Sequence, residues 1–229
     1  MKRIDLFVFI GVVLFFAPFF LFDSVYDWYI NFNSSYPLIM AFIKFFILAT
    51  FGESLGLRIK NGVYNAPGFG LLPRAIVWGF LGMWIAIAMG IFKIGVPAYL
   101  SKFSIFESME AAMTGPLTWM KLLGAFCISL MMNTAFAPVF MTFHKMTDTH
   151  IANCNGKLSF LYTPVNFGKI ISELNWNVQW NFVFKKTIPF FWIPAHTITF
   201  ILPAEFQVLF AALLGVALGL ILSIAALKK

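Results

Sequence analysis

Long apolar runs separated by short polar segments set the pattern of this chain. Runs at residues 6–22, 37–51, 73–100 and 117–143 are each near or above the length that carries a helix across about 30 Å of hydrocarbon, and two more follow at 188–202 and 204–227. The pattern predicts an all-α polytopic transmembrane bundle of about six spans, a single integral membrane domain over residues 1–229. The fifth run is short and ends at Leu202-Pro203-Ala204, so the fifth and sixth runs suit a broken hairpin. Prolines 189, 194 and 203 would cut the fifth run into pieces whose released carbonyls need polar partners, and His196, Thr197, Thr199 and Gln207 can supply them.

The one long polar connection, residues 144–186, has a second pattern. Phe167, Ile170, Ile171, Leu174 and Val178 share one helical face, and Ser172, Glu173, Asn175 and Gln179 the other. With Trp176 and Trp180 nearby, this predicts an amphipathic helix on the cytoplasmic interface, an ordinary membrane-resting linker more than a partner-binding device.

Composition agrees with a lipid bilayer as the surrounding partner: 61% of residues are hydrophobic and 11% charged, with a mean hydropathy of +0.87. The net charge of +7 sits in short segments between apolar runs, which reads as topology and not as nucleic-acid binding. Lys2, Arg3, Arg58, Lys60, Arg74, Lys145, Lys157, Lys169, Lys185, Lys186, Lys228 and Lys229 fall on one side, placing both termini in the cytoplasm. Lys93 and Lys121 are exceptions at span ends that long side chains accommodate by snorkelling. No cleavage site or transit peptide follows Lys2 and Arg3, so the first span is expected to be retained, and a bacterial plasma membrane is favoured over an organellar one.

Helices in lipid associate through close backbone approach and interhelical hydrogen bonds. Gly79, Gly82, Ala86 and Gly90 share one face of the third run, Ala211, Gly215, Gly219 and Ser223 recur along the sixth, and Gly52 and Gly56 end the second. A tightly packed monomer is the preferred reading of these rows, a homo-oligomer the alternative. Polar groups inside the runs are costly unless they face protein or water, which marks Lys44, Asn133 and His196, with Glu53 and Gln207 at run ends. Lys44 and Glu53 fall on opposite sides of one helix and are not expected to pair within it. Ala125, Ser129 and Asn133 form a small-polar ladder before Pro138.

Candidate chemistry is thin. His144, Asp148, His150 and Cys154 are zinc-capable, but their spacing matches no paired-ligand motif and they are read as solvated loop residues. Cys127 and Cys154 form no CxxC pair, no catalytic motif is present, and no metal, cofactor or enzymatic activity is assigned.

Trp192-Ile193-Pro194, His196, Thr199-Phe200, Leu202-Pro203, Gln207 and Leu222-Ser223 resemble the C-terminal signature of the Mpv17/PMP22 family, with Gln207 where that family has an arginine. Gly52-Glu53, Arg74 with Gly79, and Asn133 with Pro138 resemble shorter upstream family features. The resemblance implies a small multi-helix membrane protein linked to a non-selective channel for small solutes. The leading expectation is therefore passage of small solutes or ions through a narrow polar lumen walled by Lys44, Glu53, Asn133, His196, Thr199 and Gln207, with protonation of His196 altering passage. The alternatives are a non-conducting structural or adaptor protein and, as a minor one, an intramembrane enzyme acting on lipid through His196 with Glu205 or Asp148.

Overall fold

The computed structural model describes residues 3–227, with side chains described as far as residue 221. Lys2, Lys228 and Lys229 therefore lie outside the described residues, as does the side chain of Ser223. Among the described residues every regular element is helical, with no strand. Contacts group it into two compact units, one up to Met40 and one from Ala41 onward.

In the first unit, α1 (Arg3–Leu21) and α2 (Asp23–Ser35) meet at Phe22. α1 is apolar all round and exposes Phe7, Phe9, Leu14 and Phe20, a surface suited to lipid. Tyr29 of α2 is buried, its ring edge-on to Phe19 at 5.8 Å.

α3 (Pro37–Asn61) starts on a proline whose fixed φ suits the first helical turn, and most of its length belongs to the second unit. It continues ten residues past the predicted run. The polar side chains of that extension find partners: Ser54 Oγ donates to the Tyr64 carbonyl at 2.5 Å and Arg58 Nη1 to the Gly62 carbonyl at 2.6 Å. The chain then turns through Gly70 at φ 72° into α4 (Leu71–Leu100). Gly70 also lies against Gly156 (φ 66°), so close that a Cβ on Gly70 would sit 2.8 Å from the Gly156 Cα. Both the backbone conformation and the approach require glycine.

The small residues do not act uniformly. Phe42 of α3 covers Gly79 of α4, and Phe45 covers Gly82, where an added Cβ would lie 2.5 Å from the Phe45 Cβ. Gly52 receives Val216, and a Cβ on Gly219 would lie 3.3 Å from the Gly52 carbonyl oxygen. Ala211 is buried and Ala86 half-buried. Gly90, expected on the same packing face as Gly79 and Gly82, is instead exposed, and nothing lies within 4 Å of its Cβ position. Ala88 and Met89 just before it are buried, so Gly90 falls on the exposed side of a helix that is still packed there.

The predicted span 117–143 is divided. α5 (Met109–Thr114) turns into α6 (Trp119–Ala135), whose N-terminus is capped by Thr118 Oγ1 accepting from the Lys121 N–H at 3.2 Å. A new helix, α7 (Ala137–Asn153), begins after Phe136. Pro138 explains the division, since it has no N–H for the Thr134 carbonyl and its ring crowds that group. α7 absorbs residues 144–153, so the polar connection starts later than its composition suggests.

The predicted interfacial helix is also interrupted. α8 (Phe167–Glu173) buries Ile170, which with Leu174 and Met146 forms a small cluster, while Phe167, Ile171 and Val178 are exposed. Leu174 is extended and the Asn175 side chain accepts from the Val178 N–H at 3.0 Å, capping a new start at α9 (Trp176–Val178). A π-helix, Gln179–Trp192, follows and runs directly into α10 (Ile193–Ile201).

Of the three prolines, Pro203 alone breaks the chain's course. Pro189 lies within the π-helix and Pro194 is the second residue of α10, and the helical course continues through both. At the break, Leu202 is extended and its carbonyl accepts from Gln207 Nε2 at 2.9 Å, after which α11 (Ala204–Leu227) begins.

Four helices among the described residues are long and apolar enough to cross a membrane: Arg3–Leu21, Pro37–Asn61, Leu71–Leu100 and Ala204–Ile221. The pair Ser104–Thr114 and Trp119–Ala135, bent by 91°, adds a fifth where it acts as one span. The sequence pattern suggests six. The difference arises because run 188–202 is shared between the end of the π-helix and the short α10, and run 117–143 is cut at Phe136.

Candidate functional site

Within the second unit, α3, α4, α6, α7, the π-helix, α10 and α11 surround a cavity of about 280 Å³. Its wall is mainly apolar, with Phe45, Ile85, Phe140, Met141, Val183 and Leu218 prominent. Two polar groupings reach it: Asn133 with His196, and Glu53 with His144.

The first grouping rests on α6 and α10, which pack extensively on each other. Ser129 Oγ donates to the Ile193 carbonyl at 2.7 Å, tying the helices together. One turn on, Asn133 Nδ2 donates to the Ser129 carbonyl at 2.8 Å and lies 3.0 Å from His196 Nδ1. The indole of Trp192 stacks on the His196 ring at 5.1 Å. His196 Nδ1 thus pairs with the Asn133 side chain, and no hydrogen bond or ion pair joins it to Glu205 or Asp148 among the described residues.

The second grouping is ionic. Arg74 Nη1 donates to Glu53 Oε2 at 2.6 Å and to Asp148 Oδ1 at 2.5 Å, and Arg74 Nε donates to the Phe69 carbonyl at 2.8 Å. Trp78 Nε1 donates to Glu53 Oε1 at 2.7 Å. His144 Nε2 lies 3.4 Å from Glu53 Oε1 and 3.7 Å from Asp148 Oδ1, with its ring 4.3 Å from that of Trp78. Burial alone would lower the His144 pKa, but Asp148 and Glu53 outweigh it and hold the pKa above its usual value, against an opposing push from Arg74. Glu53, His144 and Asp148 offer ligand atoms within 4.8 Å of one another, a spacing a metal ion accepts. The Arg74 guanidinium already bridges both carboxylates and fills the cation's role.

This corrects the expectation that His144, Asp148, His150 and Cys154 are solvated loop residues. The first three lie on α7 and Cys154 caps it. His150 is buried, 3.0 Å from the Phe160 carbonyl. Nothing in local spacing signals the ionic grouping, because Glu53, Arg74 and Asp148 are 21 and 74 positions apart.

Of the six residues expected on a polar wall, Glu53, Asn133 and His196 line the cavity. Lys44, 6% exposed, and Thr199, fully buried, line neither this cavity nor a second one. Thr199 Oγ1 donates to the Ala195 carbonyl of its own helix at 3.0 Å. Gln207 lines the second cavity, about 540 Å³, with Lys93, Glu110 and Lys121. Trp78 and Trp192 carry polar contacts or line the cavity, and hydrophobic patterning does not single them out. Comparison with known protein families, curated proteins and solved structures finds no match.

Proposed function

We propose that the chain is a multi-pass membrane protein, distantly related to the Mpv17/PMP22 family, that admits a small solute into the cavity between its helices and passes it across the bilayer. The observation that carries this reading is that one cavity receives both buried polar groupings, Asn133 with His196 and Glu53 with His144. Polar groups withdrawn from water are tolerated where they meet protein or line a cavity, and these do both. In this reading the chain crosses six times, with α6 and the start of α7, up to residue 143, as one crossing and residues 188–202, the end of the π-helix with α10, as another. Both termini then lie in the cytoplasm of a bacterial-type plasma membrane, as the lysine and arginine distribution favours.

The test is solute flux through liposomes containing the purified protein, with Gly215→Leu in parallel. Gly215 lines the cavity and nothing lies within 4 Å of its Cβ position, so a side chain placed there starts into open space and leucine takes up room in the path. Flux in the parent and its loss in folded Gly215→Leu is the expected outcome. Equal flux in both sinks the assignment of this cavity.

A second reading, a non-conducting bundle, has its own support. Asn133 is held by Ser129 and His196, and both oxygens of Glu53 are held by Arg74 and Trp78, which leaves an apolar middle. It predicts no flux above empty liposomes in folded parent protein.

A further inference from the structure

The second cavity, about 540 Å³, lies where the end of α4, α5, the start of α6 and the corner at residues 201–204 meet. Lys93 of α4 lines it and is half-buried, with its Nζ still accessible, and among the described residues that ammonium makes no hydrogen bond and no ion pair. Glu205 and Lys121 act on it only through their charges. Lys121 of α6 lines the same cavity and gives one N–H to the Gly115 carbonyl at 2.7 Å, which leaves two to donate. Glu110 of α5 is also on the wall and exposed; its backbone N–H donates to Ser101 Oγ at 3.0 Å, while its carboxylate makes no hydrogen bond or ion pair among the described residues. One cavity thus presents an unengaged cation and an unengaged anion that do not pair with each other. Opposite charges held apart on one wall suit a ligand that carries both.

We propose that this cavity holds the headgroup of an aminophospholipid, with its phosphate on Lys93 and Lys121 and its primary ammonium on Glu110. The chemistry recognised is a phosphate diester bearing an ammonium, and two observations favour the lipid over the free diester. Lys93 follows Arg74 along α4 by about 28 Å, close to the roughly 30 Å of hydrocarbon, so a span that has Arg74 at one face brings Lys93 to the depth of the phosphates at the other. The wall beside the charges is apolar: Ile94 lines the cavity and is 72% exposed, and Pro97, Met113 and Phe200 extend that lining, which gives acyl chains a surface next to the headgroup site. A glycerol headgroup leaves Glu110 without a partner, and a choline headgroup has no N–H to donate to it. The proposal rests on the reading of the chain as a membrane protein and not on passage through the first cavity, so the outcome of the flux experiment leaves it untouched.

The test titrates the delipidated full chain in maltoside micelles with dioleoyl phosphatidylethanolamine, phosphatidylcholine and phosphatidylglycerol, and with free glycerophosphoethanolamine, and counts bound ligand by native mass spectrometry. The parent is expected to hold the ethanolamine lipid about tenfold more tightly than either other lipid, the worth of one hydrogen bond to a charged group at a partly exposed site, and to hold the free diester at least about tenfold more weakly than the lipid. Glu110→Gln is expected to bring the three lipids level. Lys93→Gln is expected to weaken all three by about tenfold and keep their order. Equal affinity of the parent for the three lipids overturns the proposal without recourse to any variant. So does an ethanolamine preference that survives Glu110→Gln, or an affinity unchanged in Lys93→Gln. Free diester bound as tightly as the lipid overturns the lipid as the occupant.

Discussion

Arg74 on α4 donates from Nη1 to Glu53 Oε2 on α3 at 2.6 Å, and the same nitrogen reaches Asp148 on α7, so one guanidinium joins three helices. The side chains of Arg74 and Glu53 are 15% and 20% exposed, too little for solvent to screen the pair fully. Removing the cation leaves two partly buried carboxylates facing each other, which costs more than the pair itself contributes. Arg74→Ala is expected to lower unfolding free energy by about 3–5 kcal/mol, the range for breaking a buried ion pair, with Arg74→Lys intermediate because it cannot hold both carboxylates in one plane. Denaturant titration in micelles checks this. A loss under about 1 kcal/mol in Arg74→Ala contradicts it.

Gly82 and Gly90 lie on the same helix and should respond to alanine with opposite signs. At Gly82 the added methyl meets the Phe45 Cβ at 2.5 Å, so the α3–α4 contact must open, at a cost of about 1–3 kcal/mol. At Gly90 nothing lies within 4 Å, and alanine recovers up to about 1 kcal/mol of helix propensity. Thermal unfolding of the two single variants checks the pair, and a destabilised Gly90→Ala would show that this exposed glycine packs on something outside the chain.

The helices that hydrophobic length alone specifies were legible in the sequence: Pro37–Asn61, Leu71–Leu100 and Ala204–Leu227 each contain a predicted run, Arg3–Leu21 covers all but the last residue of one, and Pro37–Asn61 outruns its run where polar side chains such as Arg58 find partners. The break at Pro203 was legible because proline acts locally. The π-helix was not, since Pro189 in sequence reads as a helix stop, and a register with wider turns has no hydrophobic period of its own. The site was half legible. Cost in hydrocarbon marks Asn133 and His196 as needing partners, but it does not say that they partner each other across 63 positions. The Glu53–Arg74–Asp148 contact escaped, since Glu53 reads as a costly polar group at a run end, Arg74 as a topology charge and Asp148 as a loop residue, and nothing in the spacing joins them.

Lys44 separates burial from function. It is the costliest residue by hydrocarbon criteria, which made it the first expected wall residue, yet it lines neither cavity. Lys44→Met, which keeps the length of the side chain and removes its charge, is expected to leave flux per folded protein within about twofold of the parent, while Gly215→Leu abolishes it. Initial rates from liposomes of matched protein content decide the matter. A tenfold loss in Lys44→Met would move the path to the other side of α3.

His144 gives the ionic grouping a pH dependence whose sign is fixed. Burial disfavours its protonated form, Asp148 and Glu53 attract that form, and Arg74 repels it. The net effect holds the folded pKa above the ordinary 6.5, so the folded state binds the proton more tightly than the unfolded state does. The resulting stabilisation is fully present below pH 6.5 and is lost as pH rises through the folded pKa. Other titrating groups overlay this trend, and the informative quantity is the difference between the parent and His144→Gln, which keeps a hydrogen-bonding side chain and cannot take the proton. Unfolding free energies measured from roughly pH 6 to 9 should show that difference shrinking as pH rises. A difference that is flat, or that grows with pH, would mean that His144 stays neutral between the two carboxylates and that Arg74 alone sets the charge of the cluster.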